Sequence, residues 1–178
     1  MNLKKYSFLL IIVLSTLLYS YTLPNKILKK VNKEIKSIFE VKEFNLKAIK
    51  IADSINNKMR FKIGADNLFK IENNNTLIGY AYVDKAASKT DEFDYLILLD
   101  TNLIIVKTKV LIYREDYGGE IGSKRWLKQF IGKKPADQLK YQQDVIAISG
   151  ATISAISMTN AVNQFLQNLE TLTFNKVL

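Results

Sequence analysis

Phe69-Lys70-Ile71-Glu72-Asn73-Asn74-Asn75-Thr76-Leu77-Ile78-Gly79-Tyr80-Ala81-Tyr82-Val83, residues 69–83, reads as a β-hairpin. Two runs with β-branched and aromatic residues flank the polar cluster Glu72 to Thr76, whose asparagines favour a turn. The same pattern continues downstream. Asp84 to Glu92 is expected as a polar loop and Tyr95 to Leu99 as an apolar strand. Asp100-Thr101-Asn102 follows as a turn, and Leu103 to Tyr113 as a longer strand, which makes a second hairpin. Upstream, Phe44 to Ile51 alternates and reads as a strand, whereas residues 52–66 follow no single period. Between Lys26 and Phe39, apolar residues fall at Ile27, Leu28, Val31, Ile35, Ile38 and Phe39, the steps of an amphipathic helix with lysines outward.

After the strands the period changes. Ser123 can cap a short helix from Lys124 to Ile131, ended by Gly132, with Trp126, Leu127, Phe130 and Ile131 on its apolar face. A final helix opens near Ser149-Gly150-Ala151-Thr152 and continues to about Leu169. Its inner face would carry Ala155, Met158, Val162, Phe165 and Leu169. The order helix, antiparallel strands, helices predicts an α+β fold. We expect a curved antiparallel sheet with helices packed on one face, preceded by one N-terminal apolar helix.

Composition narrows the chemistry. The chain has 178 residues, 48% of them hydrophobic and 24% charged, which suits one folded domain. It contains no cysteine and no histidine, so thiol redox motifs, iron–sulfur clusters, Cys/His zinc sites and His-based triads are excluded. The remaining acids, among them Asp91, Glu92, Asp94, Glu115, Asp116 and Glu120, have no spacing that marks a carboxylate-pair hydrolase. The formal charge is +9, and ten lysines and one arginine against five acids put +6 of it between Lys26 and Asp66. No basic run interleaved with exposed aromatics accompanies it. We read a charged face near a membrane, with a plain solvated helix surface as the alternative, and no nucleic-acid partner.

The N-terminus bears on this reading. Lys4 and Lys5 precede an uncharged stretch from Tyr6 to Asn25 whose centre, Phe8 to Leu14, is apolar throughout. Residues 1–25 are therefore expected to be a signal peptide or a membrane anchor, and residues 26–178 the folded domain. A small-x-small cleavage site is missing, and Ser20-Tyr21-Thr22 is a poor candidate. An uncleaved anchor is favoured, with the domain on the outer side of the cytoplasmic membrane. Cleavage would leave it periplasmic or exported.

The segment Ile148-Ser149-Gly150-Ala151-Thr152-Ile153-Ser154 puts hydroxyls and a glycine ahead of an apolar-periodic helix. Free N–H groups and the helix dipole at such a start favour a phosphate, although a simple cap explains the same residues. Upstream, Tyr117-Gly118-Gly119-Glu120 lies in a glycine-rich loop. Ser149-Gly150-Ala151-Thr152, with Ser154 two residues on, resembles the signature of FMN-binding domains. These include the periplasmic flavin-carrying subunits of Rnf and sodium-pumping NADH:quinone reductase complexes and related stand-alone proteins. The resemblance covers about residues 26–170. It includes Ile78-Gly79-Tyr80-Ala81, the Asp100-x-Asn102 turn, Glu120 after Gly118-Gly119, and Trp126-Leu127-Lys128-Gln129-Phe130-x-Gly132.

The resemblance implies an exported flavoprotein electron carrier rather than a self-sufficient enzyme. FMN would be joined through its phosphate to the Thr152 hydroxyl by a separate flavin transferase that uses FAD, with Ser154 as the fallback hydroxyl. A membrane redox partner would give or take the electrons. Ser149, Gly150 and Ala151 would form the phosphate turn. Gly118 and Gly119 would let backbone lie against the flavin ring. Tyr117 would stack on the ring or else fill a sheet-edge corner, and Glu120 would hydrogen-bond the flavin or else be solvated. Lys124 and Arg125 would offset phosphate charge or form a solvated helix face. The chain departs from the family at Ile146, where an acid usually stands three positions before the serine; Asp144 is the nearest carboxylate. That departure supports the alternative of an exported non-redox binding or scaffold module that keeps the fold without covalent flavin.

Overall fold

The computed structural model describes residues 23–178. The apolar helix expected within residues 1–25 falls on residues 1–22, outside the described part. Five strands form one antiparallel sheet in the order β1 to β5: Asn45–Ala48, Leu68–Asn73, Thr76–Ala87, Glu92–Leu99 and Ile105–Ile112. The helices are α1 (Asn25–Ile38), the single turn α2 (Asp53–Asn56), α3 (Lys124–Leu127) and the long α4 (Thr152–Phe174). Short 3-10 turns at Gly119–Gly122 and Lys128–Phe130 flank α3.

The β2–β3 hairpin forms where the asparagines predict it. Asn74 and Asn75 both take left-handed φ values, 48° and 61°, which match the twist of a two-residue turn. The expected loop from Asp84 to Glu92 shrinks to residues 88–91, because both strands run on through it: Lys85 pairs with Asp94, Ala86 with Phe93 and Ala87 with Glu92. The charges along the paired part of this stretch have partners. Asp94 accepts from Arg114, Asp84 accepts from the Tyr82 hydroxyl at 2.5 Å, and Lys85 faces Glu92 at 3.4 Å. The strand expected from Leu103 begins at Ile105. Asp100 Oδ1 accepts the N–H groups of Asn102 and Ile104, each at 2.9 Å, and Leu103 sits at φ 62° inside that turn.

The helices lie on both faces of the sheet, not on one. Ile27, Val31 and Ile35 of α1 pack on Phe69, Ile71, Ala81, Val83, Leu96, Leu98 and Leu111. On the opposite face, Ala155, Met158, Val162, Phe165 and Leu169 of α4 join Tyr80, Tyr82, Phe93, Tyr95, Ile97 and Leu99. Residues alternate between the faces along each strand, so the two central strands, β3 and β4, must be apolar on both sides. Phe93 to Leu99 is accordingly buried at every position. A cover of apolar side chains is also why α1 is amphipathic at the expected positions. Its closing residue Phe39 sets its ring against Gly79 of β3, where an added Cβ would meet ring carbons at 2.6 and 2.8 Å.

The edges of the sheet are closed in different ways. Beside β5, Gly132 N–H donates to the Ile105 carbonyl and Ile105 N–H to the Lys133 carbonyl, both at 2.8 Å. The Thr108 hydroxyl donates to the Leu127 carbonyl at 2.9 Å. The segment from α3 to residue 133 thus occupies that edge. The other edge is the four-residue β1, with Lys47 paired to Glu72 at 2.5 Å.

Candidate functional site

The start of α4 is built to leave backbone donors free. Ala151 occupies the cap position, and no side chain accepts from the first turn. Gly150 enters with φ 81°, and the first bond of the helix runs from Ala155 N–H to the Ala151 carbonyl at 2.9 Å. The N–H groups of Thr152, Ile153 and Ser154 therefore carry the positive end of a 23-residue helix without a protein partner among the described residues. Thr152 is exposed at this point. Ser154 is buried and its hydroxyl is shared with Tyr113 at 3.1 Å. Of the two hydroxyls named from the sequence, Thr152 is the one solvent reaches.

A groove of about 710 Å³ opens over this turn. Tyr117, Gly150, Ala151, Thr152 and Ser154 line it together with residues 89–91 and 113–116. Gly118 joins the two glycine-containing segments. It is buried at φ 82°, and a Cβ there would stand 2.8 Å from Tyr113 Oη and 3.2 Å from the Gly150 carbonyl oxygen. Gly119 faces open space. Glu120 and Ser149 lie next door, in a smaller cleft of about 350 Å³ with Arg125, Trp126, Gln129 and Ile146. Tyr117 is 86% exposed, so it fills no corner of the sheet. Trp126 is core, and its indole N–H donates to the Ile146 carbonyl at 2.7 Å. Lys124 lies elsewhere, beside Lys107, Lys109 and Lys128.

Sequence reasoning missed the far wall of the groove, residues 89–91 and 114–116. Glu115 ties that wall down. Its Oε1 accepts the N–H groups of Thr90 at 2.6 Å and Asp91 at 3.3 Å, and the Thr90 hydroxyl at 3.3 Å. The Ser88 hydroxyl, which stands close but makes no hydrogen bond of good geometry, and these N–H donors hold the Glu115 carboxyl below the usual carboxylate range. Arg114 is engaged by Asp94 and by the Glu92 carbonyl, leaving Lys89 as the exposed cation of this wall. No motif marks these residues in the sequence. They meet because β5 exits beside the β3–β4 turn.

Ile146, at the place of the family's acid, is 72% exposed and is held through its backbone alone. Its N–H donates to Gln129 Oε1 at 2.7 Å. Asp144 accepts Lys140 N–H at 2.8 Å and closes its own turn. No metal-binding cluster of acids occurs among the described residues.

Residues 89–167 match the family model of the FMN-binding domain. Over this segment the match indicates FMN as the cofactor. The matched segment begins at Lys89 in the far wall and runs into α4, so it contains both sides of the groove. Comparison with curated proteins gave no match. The site's own features fit the cofactor: uncapped N–H groups suit its phosphate, and Gly119, which faces open space beside the groove, leaves room for a flat ring.

Proposed function

We infer that this is an exported, membrane-anchored flavoprotein electron carrier whose FMN is esterified to Thr152. The observation that carries the reading is the exposed Thr152 hydroxyl at the uncapped first turn of α4, on the floor of the groove. The free N–H groups of that turn would hold the phosphate, and Tyr117 would lie against the ring. When bound, the flavin supplies one- and two-electron chemistry that the side chains lack. In the attachment step, Thr152 Oγ1 would form a bond to the riboflavin-side phosphorus of FAD. The pyrophosphate bond would break, AMP would leave, and the hydroxyl proton would pass to a base of the flavin transferase. Tyr6 to Asn25 would anchor the domain on the outer side of the cytoplasmic membrane. Among the described residues no helix is long and apolar enough to cross it. A membrane redox partner would exchange electrons with the carrier.

The test is intact mass after co-expression with a flavin transferase. The wild type is expected to be yellow and to gain one FMN moiety, and Thr152→Ala to lose covalent flavin. A colourless, unmodified wild type under those conditions overturns the reading. The second reading, a non-redox scaffold of the same fold, rests on exposed Ile146 and on Asp144 being occupied by Lys140 N–H. Flavin fluorescence on a denaturing gel separates the two, since only an esterified flavin stays with the chain.

A further inference from the structure

The path of α1 across the sheet fixes where the N-terminal apolar stretch leaves the fold. Lys30 Nζ donates to the Leu111 carbonyl, and Glu34 faces Lys107 at 3.7 Å, so α1 runs antiparallel to β5. Its last turn lies at the other end, where Phe39 meets Gly79, next to Tyr80, which pairs with Leu99. The first turn of α1 therefore sits at the end of the sheet defined by Ile112, Glu92 and Ala87. The flavin groove opens at that same end, between Tyr113, residues 89–91 and the start of α4. Leu23, where the preceding segment joins the domain, and Pro24 directly before α1 therefore both lie at this end.

Exposed apolar side chains stand at this end among charged ones, Asp91, Asp116 and Lys89 of the groove wall included. Tyr117 and Ile153 line the groove with their side chains exposed, and Ile156 continues the same helix face one turn on. Lys26 and Lys29 are exposed on the first turns of α1. Aromatic and aliphatic tips suit the boundary between headgroups and acyl chains.

We propose that the groove end of the domain rests on a phospholipid bilayer. Tyr117, Ile153 and Ile156 meet the lipid, so the flavin faces the membrane plane rather than the aqueous phase. Its electron partner is then one held in or on the membrane and not a freely diffusing soluble carrier. This rests on reading Tyr6 to Asn25 as an anchor.

The chain has no cysteine, so single-cysteine labels are unambiguous. The full chain carrying Tyr117→Cys, Ile156→Cys or, in the exposed turn at the opposite end, Thr101→Cys is labelled with bimane. It is reconstituted in phosphatidylcholine–phosphatidylglycerol vesicles containing nitroxide lipid. Several-fold stronger quenching at positions 117 and 156 than at 101 is expected. Equal quenching, or more at 101, overturns the proposal. Should the unlabelled chain fail to float with vesicles, the anchor fails and the proposal with it. If it floats with flavin attached and quenching is uniform, only the orientation is wrong.

Discussion

At Gly118 a hydrogen in place of a side chain holds the site together. Alanine there meets a left-handed φ and Tyr113 Oη at 2.8 Å, so Gly118→Ala is expected to cost about 1–3 kcal/mol. It should also lower flavin loading, while Gly119→Ala, facing open space, leaves stability unchanged. Urea denaturation and flavin stoichiometry on the pair decide this. Glu115 supplies a second residue-scale test. Its carboxyl is held below its ordinary range, so its grip on residues 90 and 91 is present at neutral pH and is lost only as pH falls through that lowered value. Amide exchange at Thr90, followed downward in pH, should stay slow past the point where ordinary carboxylates protonate. Glu115→Gln should remove the pH dependence. The contrast between these two residues shows what the sequence can reveal. Gly118 stands in a glycine-rich loop and is visible as a candidate; Glu115 is one acid among many until strand pairing sets it beside residues 88–91.

Of the elements, α4 was the most legible, and β3 was legible only in its first half. The steps Ala155, Met158, Val162, Phe165 and Leu169 are local, and all five are buried. Phe165 stacks on Tyr82 with ring centroids 4.0 Å apart and planes 9° from parallel. Phe165→Ala is expected to destabilise by about 3–5 kcal/mol, read from the urea midpoint. In β3, the far half looked like a loop because Asp84 and Lys85 interrupt the apolar run. Their partners, Tyr82, Asp94 and Glu92, come from the same hairpin but only after it has folded. The two-sided cover had a trace in the sequence. The run Tyr95 to Leu99 has no polar alternation, as expected of a strand with helices on both sides, and Lys26 to Phe39 supplies the second cover.

For the molecule as a whole, two cores share one sheet, and each makes its own demand. Without α1, the face formed by Ile71, Ala81, Val83, Leu96, Leu98 and Leu111 would be bare. A chain beginning at residue 40 should bind a hydrophobic dye and self-associate at concentrations where the complete domain does not. On the other face, burial pushes the phenols of Tyr82 and Tyr95 well above their ordinary range. The folded state therefore keeps protons that the unfolded chain releases near pH 10, so stability present below that point falls as pH rises through it. Loss of circular dichroism should coincide with the appearance of phenolate absorbance, and Tyr82→Phe should weaken the coupling. The closed margin of β5 has a further consequence. With residues 132 and 133 already bonded to Ile105, and Leu127 to Thr108, the backbone there offers little template to a passing strand. The opposite margin is only four residues long and carries a lysine. The folded domain thus offers little means to nucleate fibrils by strand addition, even though its central strands have the apolar, β-branched character that would favour them.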